Sequence, residues 1–190
     1  MSSVDLWFIK RNVSSLPTPS KCIYSKILAN YLSCNDLNLQ FYHNLYGKPM
    51  LNNKNLFFNV SHTIDMMVVA VTKNCELGID MESKARKSID PLLLAKKFFH
   101  INEVELLSGA DCLWSKFIQL WVIKEAFVKM KGVGINYGLN KFYVDVLSKT
   151  IFDVNQNHCG YNLLDIDNNY VCGIVPKFDE IRLINLEQIL

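Results

Sequence analysis

No stretch of the 190 residues is apolar for long enough to cross a bilayer. Runs such as MMVVAV at 66–71 fall far short of the about 20 residues a spanning helix needs. The first residues, MSSVDLWFIKRN, contain no sustained apolar core of the kind a secretory leader carries. A soluble, cytoplasmic protein that uses no membrane is expected. Charge of one sign is not concentrated either: 20 Lys and Arg stand against 18 Asp and Glu, a net of +2, with no dense basic run. A duplex-binding surface is therefore not expected, and nucleic acid is excluded as a partner. The six cysteines contain no Cys-x-x-Cys pair, which argues against a zinc or redox motif and predicts reduced core residues. No Gly-x-Ser-x-Gly elbow is present, and no repeat of fixed period.

What is present reads as α+β. VDLWFIK (4–10) has strand character, and the Ser/Pro stretch SSLPTPS (14–20) reads as a loop ending in an N-cap at Ser20. The spacing of Ile23, Ile27, Leu28, Tyr31 and Leu32 predicts a helix over 21–33. FYHNLYGKPM (41–50) reads as a strand entering a loop. LFFNV, MMVVAVT and ELGIDME follow at the spacing of an antiparallel meander. Beyond them, Asp90-Pro91 opens a helix, Asn102 is placed to cap a short one stopped by Gly109, and a long helix runs from about Leu113 to Lys131 before Gly132. KFYVDVL, GYNLLDI and YVCGIV predict a second antiparallel sheet. The expectation is one domain over 1–190 in two halves, about 1–83 and 84–190. Each half is a small sheet packed with a long helix.

Three stretches carry chemistry. In ELGIDMESK (76–84), strand alternation sends Leu77, Ile79 and Met81 one way and Gly78, Asp80 and Glu82 the other. Two carboxylates roughly 7 Å apart repel by about 2 kcal/mol at an effective dielectric near 20, unless water or a cation lies between them. In the long helix, LWVIKEAFVKMKG (120–132) is apolar nearly all round, yet Trp121, Glu125 and Lys129 recur every fourth residue as one stripe. Glu125 and Lys129 form either a solvated ion pair or a carboxylate in an apolar wall, which burial would make a proton acceptor or a cation would keep ionised. FFNVSHTID (57–65) ends a strand at Ser61-His62, either as a plain turn or as donors to phosphate oxygens. YGKP offers Lys48 for the same task.

YGKP at 46–49, FNVSH at 58–62, LGIDME at 77–82, FFHINE at 98–103 and LWVIKEAFVKMKGVG at 120–134 occur in one order. In that order and spacing, over about residues 20–190, the sequence resembles the 4′-phosphopantetheinyl transferases of group II, the Sfp type. The resemblance implies two pseudo-symmetric halves with the active site in the cleft between them. It implies Mg²⁺ between Asp80 and Glu82, bridging to the pyrophosphate of coenzyme A, with Gly78 allowing a close approach of ligand or backbone. Glu125 is a third metal ligand or the base for an acceptor serine, and Glu103 is the other candidate base. Lys129, Lys48, Ser61 and His62 match phosphate contacts, Lys124 assists, and Lys21 is the nearest equivalent of a basic residue that precedes the first helix in that family. The implied reaction is transfer of the 4′-phosphopantetheine arm to a serine of an acyl or peptidyl carrier protein by a monomeric enzyme, releasing 3′,5′-ADP. The alternatives are a pseudoenzyme that binds coenzyme A or a carrier without turnover, and a Mg²⁺-dependent pyrophosphate hydrolase.

Overall fold

Alternation along the first strand sets the layering. In the computed structural model, which describes residues 1–11, 19–53, 55–85, 90–155 and 157–185, β1 (Ser3–Lys10) turns Val4, Leu6 and Phe8 to one core and Trp7 and Ile9 to another. The order continues through α1 (Ser20–Leu32), β2 (Phe41–His43), β3 (Pro49–Leu51), β4 (Phe57–His62), β5 (Met66–Thr72) and β6 (Gly78–Ser83). Three helices follow: α2 (Pro91–Phe98), α3 (Ile101–Ser108) and α4 (Leu113–Lys131). The chain closes with β7 (Phe142–Asp145), β8 (Thr150–Asp153), β9 (His158–Gly160), β10 (Asn162–Ile166), β11 (Tyr170–Val175) and β12 (Glu180–Asn185).

Two sheets position the site. One runs β12-β1-β5-β4, with β12 parallel to β1 and the other pairs antiparallel; the second runs β10-β11-β6. They bury a shared core between them: Val4, Leu6, Val68 and Ala70 from the first meet Ile79, Met81, Cys172 and Ile174 from the second. The outer face of the first sheet carries α1, through Tyr24, Ile27 and Leu28. The outer face of the second carries α4, whose far side packs with α2, α3, β7 and β8. β2 and β3 form a separate hairpin, and β7, β8 and β9 a separate sheet.

Several sequence expectations change. The meander stops at β5, because β6 pairs in a backbone ladder with β11 rather than with β5. β4 instead meets β6 through side chains: Asn59 Oδ1 accepts from Ile79 N–H at 2.9 Å and Ser61 Oγ from Met81 N–H at 3.1 Å. The strand YVCGIV supplies the hydrogen bonds that β5 was expected to supply. The strands thus cross a division at residue 83: β6 joins the later sheet and β12 the earlier one. Ser20 lies inside α1, whose N-cap is Pro19, and most of the predicted Ser/Pro loop falls outside the described residues. The cap of α3 is His100 rather than Asn102, with Glu103 completing a capping box. Of the cysteines, only Cys172 is buried; Cys22, Cys34 and Cys112 are exposed, and all six are free thiols.

One network ties both ends of the chain to the first sheet. Asp5, 6 % exposed, accepts from Tyr31 Oη at 2.5 Å and from Arg182 Nε at 2.6 Å, while Trp7 Nε1 donates to Tyr31 Oη at 2.8 Å. Removing the hydroxyl strips a donor from a buried carboxylate and an acceptor from a buried indole. Tyr31→Phe should therefore cost about 1–3 kcal/mol. Urea unfolding checks this, with the midpoint expected to fall at unchanged slope.

Candidate active site

A glycine seat brings α4 against β6. A Cβ on Gly78 would lie 1.9 Å from Ala126 O and 2.4 Å from Met130 N, and one on Gly173 would lie 2.8 Å from Val122 O. These two glycines sit on adjacent strands, Gly173 opposite Asp80 in the ladder. With no side chains in the way, the helix backbone rests directly on the sheet. The same face of β6 carries Asp80 and Glu82, so the carboxylates meet the helix face that carries Glu125 and Lys129. Lys129 lies in the C-terminal turn, which ends in a left-handed Gly132.

Asp80 is the centre of the cluster. It is 6 % exposed, and its Oδ1 accepts from Lys129 Nζ at 2.7 Å and from Ser61 Oγ at 2.8 Å. Lys129 Nζ also donates to Ser61 Oγ at 3.2 Å. With Met81 N–H bonded to the same oxygen, the Ser61 hydroxyl is fully committed within the protein. Ser61 was expected at a phosphate; instead it orients Asp80. The other carboxylate oxygen, Oδ2, is buried and takes no hydrogen bond from any described residue. A buried carboxylate oxygen in that condition costs free energy unless a cation or donor completes it.

Glu125 is half-buried beside it. Burial pushes its pKa up to about 7, the negative charges of Asp80 and Glu82 push in the same direction, and Lys129 opposes them. The three carboxylates therefore act on one another across a shared space. His62, at the exposed end of β4, has its pKa lowered by partial burial and by the charges of Arg11 and Lys129, against a raising effect of Asp80. Arg11, whose guanidinium donates to Thr63 O at 3.2 Å, was not picked out from the sequence. It directly follows β1, and only the pairing of β1 with β5 carries it beside the β4–β5 turn.

The remaining expected residues lie elsewhere. Lys48 Nζ donates to Glu76 Oε2 at 2.8 Å and to Leu77 O and Met130 O at 3.3 Å each, with its side chain 8 % exposed. It joins Asn44, which donates to Gly132 O at 2.7 Å, in closing the C-terminal end of α4, where a cation also complements the helix dipole. Lys21 lies over the Phe41 ring at 5.6 Å. Glu103 and Lys124 find each other: Lys124 Nζ donates to Glu103 Oε1 at 2.7 Å, fully buried among α3, α4 and β7. Burial lowers the Lys124 pKa and its partner's charge opposes that shift.

A divalent cation fits this donor set in part. Among the described residues, no three acidic, histidine or cysteine side chains converge closely enough to hold an ion unaided. Yet Asp80 Oδ2 is buried and bare, and two further carboxylates act on the same space. Hard oxygen donors, few in number, suit Mg²⁺, which takes one or two carboxylates and completes its octahedron with water and substrate phosphates. No helix among the described residues is long and apolar enough to cross a membrane.

The stretch that carries these carboxylates and the helix facing them is similar in sequence to known proteins. The family described as the 4′-phosphopantetheinyl transferase superfamily matches residues 76–175, which span β6, α4 and β11. The chain is 37% identical over 122 residues to the 4′-phosphopantetheinyl transferase gsp of Aneurinibacillus migulanus, covering 63% of this chain and 49% of that one. It is 36% identical over 124 residues to a putative 4′-phosphopantetheinyl transferase of Synechocystis, covering 63% and 50%. A 4′-phosphopantetheinyl transferase of Bacillus subtilis is 31% identical over 156 residues, covering 76% and 68%. The chain belongs to the 4′-phosphopantetheinyl transferase superfamily, with Sfp-type enzymes among its relatives. It spans about half the length of the first two relatives.

Proposed function

We propose that this protein transfers the 4′-phosphopantetheine arm of coenzyme A to a serine hydroxyl of an acyl or peptidyl carrier protein, with Mg²⁺, and that it does so as a cytoplasmic monomer. The observation that carries the reading is the state of Asp80: one oxygen is pinned by Ser61 and Lys129, while the other is buried and bare beside Glu125. Asp80 through Oδ2, with Glu82 and Glu125, would hold the cation. When bound, Mg²⁺ supplies positive charge to the pyrophosphate and to the leaving phosphate.

The chain's own groups do the rest. Lys129 is positioned to neutralise charge on the bridging phosphates, and His62, on which the charges of Lys129 and Arg11 both act, offers a further donor to anionic oxygen, with Arg11 beside the same turn. Lys21 stands for the nucleotide end of coenzyme A. The carrier serine oxygen bonds to the phosphorus of the arm as the bond from that phosphorus to 3′,5′-ADP breaks. The serine proton passes to Glu125, the carboxylate of the helix face that meets Asp80. Lys48 is assigned to the frame of the site, because its three acceptors are all protein atoms. A binding module without turnover is disfavoured, since a coenzyme A or carrier site alone needs no proton acceptor of this kind.

Chromatographic release of 3′,5′-ADP tests the reading. It should require coenzyme A, Mg²⁺ and an apo carrier together. Release without the carrier would instead indicate pyrophosphate hydrolysis, and none under any condition would end the transferase reading. Glu125→Gln separates its two roles. As chiefly a metal ligand, the neutral amide should weaken Mg²⁺ and coenzyme A binding together, with excess Mg²⁺ restoring part of the rate. As chiefly a base, it should leave binding near wild type while the chemical step falls roughly 10²–10⁴-fold. Mixed behaviour weighted toward metal binding is expected, because a half-buried carboxylate is most easily kept ionised by a cation.

A further inference from the structure

The fully buried pair behind the site has no role in the chemistry just described. Lys124 is 0 % exposed and Glu103 2 %. Every polar atom of the pair is committed: Lys124 Nζ donates to Glu103 Oε1 at 2.7 Å and to Phe142 O at 2.8 Å. Val144 N–H donates to Glu103 Oε1 at 2.8 Å and His100 N–H to Glu103 Oε2 at 3.0 Å. The ammonium also lies 4.2 Å from the Phe142 ring centre and 5.3 Å from that of Phe99. Sealed in this way at 2 % exposure, Glu103 has no path for a serine proton.

We infer that the Glu103–Lys124 pair is a positioning device: it fixes the rotation of α4 about its axis and so keeps Glu125 and Lys129 turned toward Asp80. The inference rests on the transferase reading of that site. Successive helix residues point about 100° apart, so the direction of Lys124 dictates that of Glu125. The glycine seat brings α4 close to β6 and β11 but offers only smooth backbone, which resists approach more than rotation. On the opposite side of the helix, Lys124 is bonded to two elements at once, α3 through Glu103 and β7 through Phe142 O, and Glu103 is itself bonded to β7 through Val144. A rotation of α4 large enough to withdraw Glu125 would pull the ammonium from both acceptors and leave two charges buried and unpaired. An apolar side chain at 124 would fill the same space without that directional restraint.

The test is metal affinity, read independently of turnover. Mn²⁺ serves as the probe, and its binding to the protein with coenzyme A is measured by electron paramagnetic resonance and corrected for binding to coenzyme A alone. Glu103→Gln/Lys124→Met is the main variant. The amide oxygen still accepts from Val144 N–H or His100 N–H, its NH2 group is available to replace the Lys124 donation to Phe142 O, and no buried charge is left alone. It should melt close to wild type yet bind Mn²⁺ about 10–100-fold more weakly, the range seen when groups that orient metal ligands are removed. Wild-type Mn²⁺ affinity in the folded double variant would overturn the inference. If that variant does not fold, Glu103→Gln/Lys124→Leu, which likewise leaves no buried charge alone, decides: weakened Mn²⁺ binding supports positioning, and unchanged binding overturns it, whether or not transfer is lost. Wild-type transfer is followed alongside. Its absence would end the transferase reading but leave the Mn²⁺ comparison interpretable.

Discussion

Asp80→Ala should reduce transfer by at least about 10³-fold while leaving the fold intact. Removing a single preorganised group that stabilises transition-state charge already costs 10²–10³ in other enzymes. Here the substitution removes the only buried side-chain oxygen left without a hydrogen bond among the described residues, and the partner that draws Lys129 Nζ into the cluster. Stability should change little, because the loss of bonds to Ser61 and Lys129 is offset by relief of a buried, incompletely satisfied carboxylate. A thermal measurement separates binding from folding. Mg²⁺ with coenzyme A should raise the melting temperature of the wild type by mass action, and should not raise that of Asp80→Ala. Substantial transfer by Asp80→Ala in the presence of a chelator would mean that the strand carboxylates do not hold the cation.

Gly78→Ala should have the largest effect on stability of any single methyl addition in the second sheet. The added carbon would sit 1.9 Å from Ala126 O and 2.4 Å from Met130 N, both backbone atoms of α4 that cannot rotate aside. Overpacking usually costs 1–3 kcal/mol, and with backbone on the receiving side about 3 kcal/mol is expected. For a chain of this size that is a fall of roughly 6–12 °C in melting temperature. Activity should fall further than stability alone implies, since α4 carries Glu125 and Lys129 and must lift from the strand that carries Asp80. Gly109→Ala is the control, because a Cβ there meets nothing within 4 Å. Equal melting temperatures for the two variants would contradict the close seat of α4 on β6.

The parts of the site governed by local periodicity were legible in the sequence. Two-residue alternation placed Asp80 and Glu82 on one face of a strand, and four-residue spacing placed Glu125 and Lys129 on one face of a helix. The faces do meet, and Gly78 lies where they touch. What depended on distant pairing was not legible. β6 chooses β11, some ninety residues later, over the adjacent β5, and nothing in ELGIDME favours one partner. Ser61 reads as an exposed turn hydroxyl until β4 is laid beside β6, where it becomes a ligand of Asp80. Lys48 and Lys124 entered through the resemblance, as a phosphate contact and as a residue that assists, and nothing in their local pattern marks the protein acceptors around them. Both are instead held by protein acceptors, one at the end of α4 and one behind it. Arg11 went unnoticed because its neighbourhood with His62 exists only after β1 and β5 pair.

In the proposed function, the cluster around Asp80 moves a phosphopantetheine arm onto a carrier serine. Intact-mass measurement of an apo carrier protein, incubated with coenzyme A, Mg²⁺ and either wild type or Asp80→Ala, tests it most directly. A carrier heavier by one phosphopantetheine arm is expected with the wild type, and an unmodified carrier both with Asp80→Ala and with its acceptor serine replaced by alanine. An unmodified carrier with the wild type, across fatty-acid, polyketide and peptide-synthesis carriers at saturating coenzyme A and Mg²⁺, would contradict it.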